Sequence, residues 1–175
     1  MSSNIYIISD THFGHDNMYR FANDAGNPAR APYTCAAECD EVMVQNWNSI
    51  VKPHDKVYHL GDVAIKRKEI EILKRCNGKK VLIRGNHDIY DLSDYTPYFY
   101  DIRGSHKLEN LILSHYPLHT ESLPFDRWCK GNVHGHVHLR SLKDPRYFNA
   151  CVELNNYSPI SLEEIKKHYE NLNHP

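Results

Sequence analysis

Three observations predict an α/β fold for this 175-residue chain. Short segments rich in Ile, Leu, Val and Tyr recur at residues 5–8, 57–60, 80–83, 110–113 and 147–152, each bounded by polar or glycine-containing turns, as buried or half-buried strands are. Segments of helical period lie between some of them, giving strand, helix, strand order. The first four strands each run straight into a cluster of Gly, Asp, Asn or His, the strand end at which an α/β protein carries its site. The length fits one compact domain, residues 1–175, and no break in composition suggests a second.

In chain order, Ile5-Tyr6-Ile7-Ile8 leads into Ser9-Asp10-Thr11-His12. The stretch from Phe13 to Pro32 is polar and punctuated by Gly14, Gly26, Pro28 and Pro32, so it reads as a long loop of the kind that covers a site. Thr34 is the expected cap of a first helix, with Cys35, Cys39, Val42, Met43, Trp47 and Ile50 as its apolar stripe. Beyond the second strand and Gly61-Asp62, the segment from Glu69 to Cys76 carries Ile70, Leu73 and Cys76 at helical spacing. The third strand ends at Gly85-Asn86-His87-Asp88 and the fourth at Ser114-His115. Pro117 to Lys130, with Pro124, Phe125 and Trp128, is a second candidate lid, and Gly135-His136-Val137-His138 follows it. Ser161 and Glu164 form the capping box of a third helix that packs through Leu162, Ile165, Tyr169 and Leu172 and ends near Leu172.

Lys and Arg total 21 against 22 Asp and Glu, a net charge of −1 that gives no support to a protein coating nucleic acid through bulk electrostatics, although a local basic patch would suffice for a nucleic-acid partner. The five cysteines contain no Cys-x-x-Cys, so neither a redox motif nor a thiolate zinc site is indicated, and they read as apolar residues of a reduced cell. The start of the chain lacks the features of a signal peptide, and no run approaches the roughly 20 apolar residues that span a bilayer. The expectation is a soluble, cytoplasmic protein without a membrane partner.

The recurring side chains are carboxylate, imidazole and amide, which are the oxygen and nitrogen donors that hold divalent first-row metals. Asp10 and His12 stand two apart after a strand, so both can turn to one side. Asp62 offers two oxygens, enough to serve two ions, and Gly61 permits a tight turn before it. Asn86 and His87 are adjacent and diverge, one toward metal and the other toward substrate. His115, His136 and His138 complete the set. An isolated Asp-x-His or Gly-Asp is a weak sign, and thirteen histidines could serve the core or the surface, but structural roles do not explain placement after successive apolar segments.

In this order, Asp-x-His, Gly-Asp, Gly-Asn-His-Asp, a later His and Gly-His-x-His, the residues from Asp10 to His138 resemble the calcineurin-like metallophosphoesterase superfamily. The compact size and the run Ser9 to His15 look like its small microbial or phage members, which implies a microbial cell or phage-infected host. The resemblance implies a four-layer α/β/β/α sandwich of two mixed sheets, with ligands on loops at one end. It implies one metal held by Asp10, His12, Asp62 and His138 and a second held by Asp62, Asn86, His115 and His136, with Asp62 bridging. Manganese is the first expectation for the pair, with nickel, iron or zinc chemically admissible.

By the same resemblance His87 is catalytic, stabilising the transferring phosphoryl group or protonating the leaving oxygen. Asp88 is expected to accept a hydrogen bond from His87 or from an adjacent loop amide. Arg20 is the expected phosphate-binding residue, ahead of Arg30, which reads as a solvated loop arginine. Arg84 divides between a salt bridge and substrate contact. His59 and His134 are assigned to packing or to hydrogen bonds behind the ligands, and His15 and His119 to lining the pocket. The implied function is hydrolysis of phosphomonoesters or phosphodiesters by metal-activated water, on a nucleotide or small phosphorylated substrate. A nuclease or nucleic-acid end-processing enzyme is the alternative within catalysis, and a metal-stabilised interaction module the alternative outside it.

Overall fold

The structure, a computed structural model, describes residues 3–21, 26 and 28–172. Residues 22–25 and 27 of the expected Phe13–Pro32 loop lie outside the described residues, as do the first two and last three of the chain. Two mixed sheets face each other. The first sets β4 (Asp101–Arg103), β3 (Lys79–Ile83), β2 (Lys56–His59), β1 (Ile5–Ile8) and β9 (Ile160–Ser161) side by side, with β1 to β4 parallel and β9 antiparallel to β1. The second sets β5 (Ser105–Leu108), β6 (Leu111–Ser114), β7 (Gly131–His134) and β8 (Tyr147–Asn149) in order, antiparallel at β5 and β6 and parallel beyond.

The central strands are apolar on both faces because both faces are buried. In β1, Ile8 points to the helix-side core and Ile7 into the core shared by the two sheets. The same division separates Val57 from Tyr58 in β2, and Leu82 from Val81 and Ile83 in β3. The helix-side core is completed by α1 (Ala36–Ile50), which buries Cys39, Met43, Val44 and Trp47. Its N-cap is Cys35, not Thr34; Thr34 instead gives its amide and hydroxyl to Glu38 Oε2. Cys35 and Ile50, expected in the stripe, lie exposed at the two ends of the helix.

The segment expected as a second helix is a 3-10 helix, Arg67–Arg75, with Ile70 and Leu73 buried. A spacing of three at Ile70, Leu73 and Cys76 is the repeat of that tighter helix, and it packs the same residues. A one-turn helix α2 (Leu92–Tyr95) follows β3, and α3 (Leu162–Asn171) starts at the expected Ser161–Glu164 capping box. Helix α3 joins the inter-sheet core through Leu162, Ile165 and Tyr169, while Leu172 is exposed.

The expected lid at 117–130 is tied to the second sheet. The Leu118 amide donates to Asn132 Oδ1, the Tyr147 hydroxyl donates to the Leu118 carbonyl, and Lys107 Nζ sits 3.8 Å over the Trp128 ring. Among the described residues no helix is long and apolar enough to cross a membrane.

Candidate metal centre

Every residue cluster singled out in the sequence sits just past a strand: Asp10 and His12 after β1, Asp62 after β2, Asn86 and His87 after β3, His115 after β6, and His136 and His138 after β7. The loops are then stitched together. Asp10 N donates to Gly61 O and His12 N to Asp62 O, both at 3.0 Å, while Gly135 N donates to His115 O at 2.9 Å. A parallel bridge between Ser9 and Cys151 joins the end of β1 to the segment following β8. The two sheets therefore deliver their loops to a common point.

The backbone there is unusual. Asp10, His12, Asp62, His136 and His138 all have positive φ, from 44° to 70°, in the left-handed region that non-glycine residues seldom occupy. Asp10-Thr11-His12 and His136-Val137-His138 share this pattern, a left-handed residue on each side of an intervening one. Glycines supply clearance: a Cβ on Gly61 would strike the backbone of Gly85, and one on Gly135 would strike Ser9 Oγ and the Asp10 carboxylate.

The carboxylate of Asp10 is divided in its duties. Its Oδ2 accepts from Ser9 Oγ at 2.5 Å, the His136 amide at 2.9 Å and the Cys151 thiol at 3.2 Å. Its Oδ1 is buried with no hydrogen-bond partner and lies 3.7 Å from both His12 Nε2 and His138 Nε2. Asp62 Oδ2 lies 3.6 Å from His12 Nε2 and 3.5 Å from His115 Nε2. Donor atoms of Asp10, His12 and Asp62 form one close group and those of Asp62, His115 and His136 another, so Asp62 belongs to both. Asn86 Oδ1 joins the second group 2.9 Å from His115 Nε2.

Both His12 ring nitrogens, like Asp10 Oδ1, are buried without a hydrogen-bond partner, and unpaired buried polar atoms of this kind are costly. Oxygen and imidazole donors gathered in two adjoining groups, with Asp10 Oδ1 and both His12 nitrogens unpaired in the first, fit divalent cations. Cys151 also stands near Asp10 and His138, but its thiol donates to Asp10 on the Oδ2 side, and burial pushes its pKa well above the ordinary range.

Charge in the centre is set by burial against neighbours. For Asp10 burial opposes ionisation, yet the nearby imidazoles of His12, His138 and His115 prevail and hold the carboxyl well below its usual range. For Asp62 burial prevails and raises it. Burial, followed by His115, lowers His136. Burial likewise opposes charge on His138, but Glu153 outweighs it and raises the imidazole.

Several assignments around the centre are refined or corrected. Asp88 serves adjacent amides and not His87: its carboxylate accepts from Asp62 N and Gly85 N at 2.8 Å and from Val63 N at 3.0 Å. Arg84 forms no salt bridge among the described residues; it donates to the carbonyls of Asp88 and Tyr90. His59 is wholly buried, bonded to Thr11 Oγ1 and accepting from Gly61 N, with its pKa pushed down to about 4 by burial. His134 is bonded to the Gly135 carbonyl. His15 approaches the centre, its ring 5.6 Å from that of His12, whereas His119 caps the 3-10 turn Thr120–Ser122.

His87 is exposed; its amide donates to Asp62 Oδ1 at 2.8 Å, and its ring lies 5.4 Å from that of His12. Arg20 is exposed at the end of the 3-10 turn Asp16–Tyr19. Arg30, expected in solvent, is fully buried and donates to the carbonyls of Asp10 and Thr11 and to Glu153. Sequence reasoning passed over Glu153, which pairs with His138 Nδ1 at 3.2 Å, and Tyr116, whose ring lies 4.5 Å from that of His136. Tyr116 had one available signal, its place directly after His115; Glu153 had none.

Comparison with known proteins agrees with this geometry. A family model described as calcineurin-like phosphoesterase matches residues 3–169. An uncharacterised protein of Methanocaldococcus jannaschii is 33% identical, the match covering 93% of this chain and 89% of the relative. The crystal structure of a protein of unknown function from Aquifex aeolicus superposes with a TM-score of 0.73 at 34% identity, covering 95% of this chain and 99% of that one. A structure described as a novel archaeal phosphodiesterase shares the fold at a TM-score of 0.52 and 18% identity, covering 83% of this chain and 82% of that one. With its family model spanning nearly the whole chain, and with metal-capable side chains gathered at the strand ends, this protein belongs to the calcineurin-like phosphoesterase family.

Proposed function

We propose that the protein hydrolyses phosphomonoesters or phosphodiesters of nucleotides or other small phosphorylated molecules, using two divalent metal ions. The observation that carries this reading is the sharing of Asp62 between two close groups of carboxylate and imidazole donors. Asp10, His12, Asp62 and His138 would hold one ion, and Asp62, Asn86, His115 and His136 the other. Manganese is the first candidate, and the same oxygen and imidazole donors admit nickel, iron and zinc. When bound, such a pair supplies an activated water for in-line attack on phosphorus and offsets charge on the phosphate oxygens.

The side chains do the rest. The His87 amide is fastened to Asp62 while its ring stays exposed, so the imidazole is placed beside the shared carboxylate to bind a phosphate oxygen or to give a proton to the leaving oxygen. Arg20, on the neighbouring loop, is the proposed second contact for phosphate. Tyr116, 47% exposed, presents a flat apolar ring beside His115 and His136, which supports a substrate carrying a base or other ring.

The test is hydrolysis of paired aryl phosphomonoester and phosphodiester substrates by chelated protein reconstituted separately with Mn, Ni, Zn or Mg. Parent protein is expected to regain activity with metal, and Asp62→Asn to lose both ions and activity. His87→Ala is expected to keep its metal and turn over about 100-fold or more slowly. A parent that holds two ions yet cleaves neither substrate, or an Asp62→Asn protein as active as the parent, would overturn the proposal.

A further inference from the structure

A buried ion pair lies behind the donor groups. The side chains of Arg30 and Glu153 are 0% and 1% exposed, and they meet across 123 positions of sequence. The Arg30 guanidinium distributes its donors: Nε to Glu153 Oε1 at 3.0 Å, Nη1 to the Thr11 carbonyl at 2.8 Å and Nη2 to the Asp10 carbonyl at 2.7 Å. The same Glu153 Oε1 lies 3.2 Å from His138 Nδ1, and His138 Nε2 lies 3.7 Å from Asp10 Oδ1. These contacts close a circuit from the Asp10 backbone through Arg30, Glu153 and His138 to the Asp10 carboxylate.

Burying such a pair is seldom a net gain in stability over apolar residues of the same volume. What the pair does here is geometric. A carboxylate at Nδ1 fixes the proton on that nitrogen and leaves the Nε2 lone pair facing Asp10 Oδ1. The other half of the centre is supported differently, since His115 Nδ1 meets a backbone carbonyl, that of Leu60, at 2.8 Å.

Building on the reading that His138 and Asp10 hold an ion, we propose that Glu153, clamped by Arg30, is the positioning residue of the first half-site. It sets the tautomer and aim of His138, while Arg30 fixes the left-handed turn that carries Asp10. The half-site built on His115 and His136 is linked to this pair through Asp62 and the Asp10–His136 hydrogen bond, and loses less affinity when the pair is removed.

The experiment is calorimetric titration of Mn(II) into the chelated full chain, with thermal melting of the metal-free protein alongside. Glu153→Ala would strand the Arg30 charge and can fail to fold, so the informative variants are Glu153→Gln and the double replacement Arg30→Met with Glu153→Leu. His138→Ala and His136→Ala give the reference isotherms for loss of each half-site. Parent protein is expected to bind two ions. Both informative variants are expected to weaken one of them by about 10- to 100-fold, moving toward the His138→Ala isotherm, with the other event weakened far less. The double variant is expected to melt near the parent temperature, which separates positioning from folding.

Two undiminished binding events in both variants would overturn the proposal, as would equal weakening of both events together with a lower melting temperature. A parent that binds no Mn(II) at millimolar concentration would overturn the metal-centre reading itself, and this inference with it.

Discussion

Replacing Asp88 by Ala is expected to destabilise the metal-free protein by about 3–6 kcal/mol, counting about 1–2 kcal/mol for each of three amides left without its acceptor. The carboxylate is 1% exposed and receives three backbone N–H groups, those of Asp62 and Val63 on one loop and of Gly85 on another. Those amides face loops too closely packed to admit water freely, since a single added Cβ on Gly61 would strike Gly85. Against a typical total of about 5–15 kcal/mol, the loss leaves a folded but weakened protein. For a chain of this size it lowers the melting temperature by roughly 10–20 °C. Urea unfolding at pH 7, followed by the fluorescence of the fully buried Trp47, measures it directly. Asp91→Ala is the control, because that carboxylate is exposed, and its unfolding midpoint should match the parent. Asp88→Asn should fall between, as the amide that replaces one oxygen meets donors with donors. An Asp88→Ala protein within 1 kcal/mol of the parent would refute the claim that this carboxylate holds the two loops together.

Two further outcomes are expected. Burial raises Asp40 from the ordinary carboxylate range to about 6, the Gly14 amide only partly opposing it. The stability linked to its protonation is therefore complete below about pH 4 and lost as pH rises through 6, a cost of up to about 3 kcal/mol. Asp40→Asn should flatten the melting temperature over that window, and an unchanged slope would exclude Asp40 as its source. Tyr116→Ala should lower kcat/KM roughly tenfold for a nucleoside phosphodiester and leave an alkyl phosphodiester little changed, as expected when a stacking surface is removed. Equal losses on the two substrates would exclude stacking.

The strands that were legible carry runs buried on both faces, Ile7-Ile8 in β1 and Val81-Leu82-Ile83 in β3, which are apolar whichever way they point. Those that were not are polar or very short. In β7, fully buried, Asn132 satisfies its amide internally on Ile112 O and Ser114 Oγ, so burial leaves no apolar signature. The polar edge strand β5 and the two-residue β9 lack any period at all. The metal-capable residues were legible because the fold places each at the end of a strand. Arg30 was misread because its partners are defined by tertiary structure: the carboxylate that buries it is far along the chain, and a loop arginine beside Gly and Pro has every local mark of exposure.

The positive φ angles at Asp10, His12, Asp62, His136 and His138 have a consequence for the chain as a material. Non-glycine residues held there store strain of about 1–3 kcal/mol each, and glycine would release it. In this centre thermal robustness and chemistry thus pull in opposite directions. A variant library selected for heat resistance alone should gather glycine first at His12, whose ring nitrogens are buried without a hydrogen-bond partner, and yield a sturdier sandwich that has lost part of its working end.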